Sequence, residues 1–133
     1  MTFPSPWRRL AGWLIELLVV AVLLAAGLVV GATFSNGSLF VGFIVALTAM
    51  WLYFAGLESS AAQTTLPGRL LGTRVTDLQG QRLTFGRATR RHFAMYLSAI
   101  TPFYVGYLMA FWTTRRQTLH DYLARTLVVK VPS

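Results

Sequence analysis

Residues Leu10 to Phe34 form an apolar stretch of 25 residues in which Glu16 is the lone ionisable side chain. About 20 such residues in a helix cross the hydrocarbon core of a bilayer. A charged side chain near the centre of such a span costs roughly 2.5–3.5 kcal/mol on insertion scales. A helix that carries one turns it toward a partner or a polar cavity. The stretch therefore predicts an integral membrane protein with a polar site inside it.

The rest of the chain fits lipid surroundings. Charged residues make up 12% of the 133 residues, against roughly 25% in a soluble domain. The length suits one domain. There is no cysteine, which removes thiol catalysis, disulfides and cysteine metal sites. The net charge of +8 comes from eleven Arg and one Lys against four acids. Because these basic residues flank apolar runs, they read as orientation signals rather than as a nucleic-acid surface, for which no recognition motif is present.

A helix is expected over 10–34, preceded by Trp7, Arg8 and Arg9. A secretory signal ending at Val30-Gly31-Ala32 is the competing reading, but the apolar core exceeds the 7–15 residues such signals use, and Glu16 interrupts it. Ser35-Asn36-Gly37-Ser38 reads as an uncharged outer turn. A second helix is expected over 39–57, with Trp51 and Tyr53 as interfacial residues. Residues 58–92 carry six Arg and read as a cytoplasmic loop. Within it Pro67 to Leu71 predicts a short interfacial helix ended by Gly72. Thr73–Asp77 and Arg82–Phe85 predict a β-hairpin around Gln79-Gly80.

The third apolar run, 93–112, has Pro102 at its middle. As a single span it would place the Arg-rich tail 113–133 outside, against the positive-inside bias. A broken, re-entrant segment reconciles the two. The tail predicts a helix over Arg116–Arg125 and a strand over Leu127–Val131, paired with the 73–85 hairpin on the same side of the membrane. The expected fold class is thus an all-α membrane protein: two transmembrane helices, a Pro-broken third apolar segment and a small cytoplasmic β-patch, in one domain over 1–133.

Arg9, Glu16 and Gly27 fall within about 20° of one helical face, and Gly27 with Gly31 gives a GxxxG spacing that lets helices approach closely. At 1.5 Å per residue Glu16 sits roughly 9–10 Å beyond Leu10, nearer the cytoplasmic edge than the midplane. Glu16 is either a structural partner of an arginine or an exchanging carboxylate. His120-Asp121 is the second feature; Asp121 and Arg125, four apart, read as an ordinary surface pair, and His120 has the side chain that titrates near neutrality. His92, among arginines, reads as interfacial. The two histidines make a poor metal site. No nucleophile–base pattern and no phosphate loop is present, so neither an enzyme nor a cofactor is expected.

Three blocks, WRRLAGWLIE, TLPGRLLGTRVTDLQGQRLTFGRATRR and RRQTLHDYLARTLVV, resemble in order and spacing the RDD family of multi-pass membrane proteins, from Trp7 to Val131. The family's arginine falls on Arg9, its first aspartate on Glu16, one methylene longer, and its second on Asp121. Its threonine-glycine-lysine block is altered here: Pro67 and Gly68 stand at the glycine and lysine positions, with Arg69 the nearest basic residue. Glu58-Ser59-Ser60 and Arg91 look like further features of this branch. The resemblance implies a bacterial inner-membrane location and transport of a small ligand, or exchange of monovalent cations for protons. The expected polar cluster comprises Arg9, Glu16, Asp121, Arg91, His120 and Glu58. The alternative is a non-transporting structural or assembly module. Expected partners are membrane lipid and either further copies of the chain, since 133 residues are few for alternating access, or another membrane protein.

Overall fold

The computed structural model describes residues 2–131. Its first helix, α1 (Pro6–Phe34), has 29 residues. It begins four residues before the apolar run because Ser5 caps it, accepting Arg8 N–H at 3.2 Å, and Pro6 suits the first helical position. At 1.5 Å per residue it is about 43 Å long, so it outreaches a hydrocarbon core of about 30 Å. The uncharged turn follows, and α2 (Leu39–Ser59) returns over 21 residues, capped by Ser38. Glu58 lies in its last turn. Both helices are long and apolar enough to cross a membrane, and side chains such as Leu18, Val22, Phe34 and Phe40 are exposed. Apolar surface of that extent matches lipid.

The two helices meet on their smallest residues. A Cβ added to Gly27 would lie 2.5 Å from Ala46 Cα, and one added to Gly31 would collide with the Gly42 backbone. The GxxxG face of α1 is thus the packing face against α2.

Helix α3 (Leu66–Leu71) ends at Gly72, whose φ of 69° is left-handed. Strand β1 (Thr73–Asp77) follows. Its partner is the chain's last strand, β2 (Thr126–Lys130), antiparallel with Thr73 opposite Lys130 and Asp77 opposite Thr126. The expected second hairpin strand, Arg82–Phe85, does not form. Asp77 Oδ1 accepts the N–H groups of Gln79 and Gln81 and folds the chain into a turn. Thr84 then caps a helix, accepting Arg87 N–H at 3.2 Å. Leu83 leaves the strand pattern to pack with Val75, Ala55, Ala88 and Val128.

Helix α4 (Phe85–Ile100) therefore starts within what the sequence suggested was loop up to residue 92. Pro102 breaks the chain, and the two halves differ in direction by 114°. Phe103 and Tyr104 take the turn with φ of 55° each, and α5 (Val105–Leu108) continues into a tight turn to Phe111. This return arm runs beside the start of α1: Tyr107 packs edge-on to Trp13 at 5.1 Å, and Phe111 to Trp7 at 5.2 Å. The arm comes back toward the end from which α1 begins, as a re-entrant segment would. Helix α6 (Leu119–Ala124) is shorter than the expected 116–125 because Thr118 caps it and Arg125, with φ of 53°, ends it. Met1, Pro132 and Ser133, the extremes of the expected domain, lie outside the described residues.

Candidate functional site

Asp121 is the hub of a buried ionic network. Thr118 and Asp121 form a capping box at the start of α6, in which Asp121 Oδ2 accepts Thr118 N–H at 2.9 Å. The same oxygen accepts from Arg9 Nη1 at 2.6 Å. Oδ1 accepts from Arg91 Nη1. Arg91 also donates through Nε to Glu58 Oε2 at 3.1 Å and to Thr126 Oγ1 at 2.9 Å. Arg9 donates further to the Arg116 carbonyl, and its guanidinium lies 5.5 Å over the Trp13 ring. Two arginines and two carboxylates thus join α1, α2, α4 and α6. The Asp121 side chain is fully buried, and charges so buried persist because they are paired and hydrogen-bonded.

Burial alone would raise the Asp121 carboxyl, but the Arg9 and Arg91 guanidinium groups reverse that and hold it well below the usual carboxylate range. Burial pushes His120 well below its usual value, Arg91 and Arg9 add to the shift, and Asp121 opposes it. His120 is therefore a neutral imidazole. It sits 2.9 Å from Ser98 Oγ, touches Thr118 Oγ1 at 3.1 Å and packs edge-on to Tyr107.

Glu16 stands apart. The sequence placed it with Arg9, but two helical turns separate them and the guanidinium turns to Asp121. Among the described residues no ion pair includes Glu16. Thr65 Oγ1 donates to Glu16 Oε2 at 2.6 Å, and the Tyr53 hydroxyl stands near the same carboxyl. Glu16 Oε1 is buried and has no hydrogen-bond partner. The carboxyl lines a cleft of about 600 Å³ between α1, α2, α3, α4 and α5. Apolar and aromatic groups, including Trp13, Phe54, Met95 and Tyr107, form most of its wall. Glu58, Arg91 and His120 reach its polar end.

The structure thus brings Arg9, Arg91, Asp121 and Glu58 into one network, sets His120 against it, and places Glu16 on the cleft wall. Asp121 points inward rather than pairing with Arg125 on the surface. His92, expected at the interface, is 1% exposed. It stacks on Phe54 and lies 2.9 Å from the Tyr96 hydroxyl, because the early start of α4 turns it toward α2. Thr65 escaped the sequence reading and Tyr53 was read only as an interfacial residue; nothing in their local sequence marks them as neighbours of Glu16. The capping box was legible as a Thr three residues before an acid. Among the described residues no group of three or more His, Cys, Asp or Glu could hold a metal ion.

The sequence pattern of the RDD family matches residues 3–125. A Bacillus subtilis (strain 168) protein described as "Uncharacterized protein YxaI" is 38% identical over 78 residues, 59% of this chain and 50% of that protein. The chain thus spans about half the length of this relative. No solved structure matches the chain.

Proposed function

Since the chain belongs to the RDD family of membrane proteins, we propose that it is a cation-exchange module rather than an enzyme, in which Glu16 gives up a proton as it takes a monovalent cation. The observation that carries this reading is the unpartnered Glu16 Oε1 on the wall of a cleft. The remaining buried acids in the network are spent: Asp121 receives two guanidinium groups and Glu58 one. Asp121, Arg9, Arg91 and Glu58 are then the frame, and Glu16 is the working group. Carboxylates inside a membrane that face a cavity mark ion pathways and proton relays.

The proposed setting is a bacterial inner membrane with both ends of the chain in the cytoplasm. Lys130 N–H donates to the Thr2 carbonyl at 2.8 Å and Arg9 pairs with Asp121, so the two ends share one end of the helix pair, where the arginines gather.

The test is proton flux in liposomes holding purified protein and a trapped pH dye, driven by a Na⁺ or K⁺ gradient. The parent should move protons against the cation gradient, and Glu16→Gln should reduce flux to that of empty liposomes with normal expression. Equal flux from both would remove the proposal. A second reading, a non-transporting assembly module, draws on the closed network, which locks the fold without leaving a charge free. It expects no flux from either protein, and Asp121→Asn to lower membrane abundance.

A further inference from the structure

The cleft around Glu16 has a shape and chemistry that narrow its ligand. We propose that it takes an amphipathic monovalent ammonium, an amine with an apolar body, whose N–H groups meet Glu16 Oε1 while its carbon skeleton lies along the aromatic wall. The proposal rests on the reading of Glu16 as the exchanging carboxylate.

Three observations lead there. The first is the orphan oxygen. Buried polar atoms are nearly always hydrogen-bonded, and a carboxylate oxygen can only accept. Its missing partner is a donor, and an ammonium group brings up to three.

The second is space. A volume of about 600 Å³ lies within the range of roughly 300–1,000 Å³ typical of sites for small organic molecules. A dehydrated alkali ion needs several oxygens to replace its water, as carbonyl rings do in channels. Near the Glu16 carboxyl stand the Thr65 and Tyr53 hydroxyls, and the Thr65 hydroxyl already donates to Oε2. Beyond them the wall is Trp13, Phe54, Leu17 and Tyr107. Such a wall solvates carbon, and aromatic faces attract cations.

The third is charge. Arg9, Arg91 and Glu58 line the cleft but are neutralised within the network centred on Asp121. Arg8, two turns nearer the start of α1, donates to the Leu71 carbonyl at 3.1 Å. Of the acids among the described residues that line the cleft, Glu16 is thus the one without an ion pair, and its sign selects a cation.

The experiment is calorimetric titration of the parent protein in phosphatidylcholine nanodiscs at about pH 7.5, where an alkylamine is protonated as lysine is. Octylammonium, octanol and octanoate are compared, with empty discs subtracted. Octylammonium should bind saturably, at least about tenfold more tightly than either of the others, a difference of about 1.4 kcal/mol. Glu16→Gln should weaken it by a similar factor. Equal or tighter binding of octanoate or octanol, or unchanged binding in Glu16→Gln, overturns the proposal. The three-ligand ranking on the parent stands as the test if the variant does not fold. Absence of octylammonium binding in protein that still shows Glu16-dependent flux under a Na⁺ or K⁺ gradient overturns the ligand class and leaves exchange standing. Saturable octylammonium binding with no Glu16-dependent proton flux under an octylammonium gradient supports the ligand class and removes exchange.

Discussion

Asp121 and His120 are neighbours in sequence and respond to burial in opposite ways. Two guanidinium groups keep the Asp121 carboxyl ionised, whereas His120, facing Arg9 from α1, Arg91 from α4, Tyr107 from α5 and Asp121 on its own helix, is held neutral. Both folded-state values lie below those of the unfolded chain, so both contributions act in the same direction. Above the ordinary histidine value of 6.5 the stabilisation from His120 is complete. As pH falls below that value the unfolded chain binds a proton that the folded one refuses, and stability is lost. Asp121 adds a second loss once pH falls below its ordinary 3.8. Unfolding of the purified protein by SDS in mixed micelles should show a midpoint that is flat near pH 8 and declines below about pH 6.5, by at most about 1.4 kcal/mol per pH unit for one group. His120→Asn should make that decline shallower, leaving the share of His92, whose pKa burial lowers to about 4. An identical pH dependence in parent and variant would mean that His120 is not the group responsible. Which residues matter was partly legible in the sequence, because an acid in an apolar helix and an acid in a basic tail both invite notice. Their pairing was not: Arg91 and Glu58 are 33 residues apart and Arg9 and Asp121 are 112 apart, and local pattern says nothing about contacts at such separations.

At the scale of elements, the small residues of α1 and α2 decide how closely the helices approach. Gly27→Val would drive a branched side chain into Ala46, whose Cα stands 2.5 Å from even a bare Cβ. Overpacking of this kind costs typically about 1–3 kcal/mol. Gly56, whose added Cβ would meet nothing within 4 Å, supplies the control. In the same SDS titration Gly27→Val should unfold at a lower SDS fraction than the parent and Gly56→Ala should not; a parent-like Gly27→Val would show that the contact tolerates separation. The elements that sequence revealed are those set by length and local chemistry: α1 and α2 by apolar run, α3 by Pro67 and Gly72, β1 and β2 by β-branched residues. The strand at Arg82–Phe85 failed because Thr84 caps α4 instead and Gln63 takes the edge of β1 that β2 leaves, accepting Val75 N–H at 2.7 Å and donating its side-chain amide to the Val75 carbonyl at 3.1 Å; β2 fills the other edge. It contributes Val128 to the same core that Leu83 fills. The early half of α4 was hidden because its basic residues resemble a loop until its buried face, Ala88, Arg91 and His92, is seen against α2.

For the whole molecule, orientation in the membrane can be read by single-cysteine labelling, since the sequence has no cysteine to interfere. Asn36→Cys in the turn between α1 and α2 should react with an impermeant maleimide added to intact cells, and Gln79→Cys beside β1 only after permeabilisation. The reverse pattern would invert the arrangement. The glycine contact described above also bears on how the interior can be entered. Where α1 and α2 touch backbone to backbone there is no slack left to give. The cleft lies away from that contact, and one of its walls is the bent arm, turned at its tip by Pro102 and two residues in left-handed conformation. A bulky guest therefore finds its room at the far end of the helix pair from the glycines, among the side chains of the arm, α3 and the first half of α1.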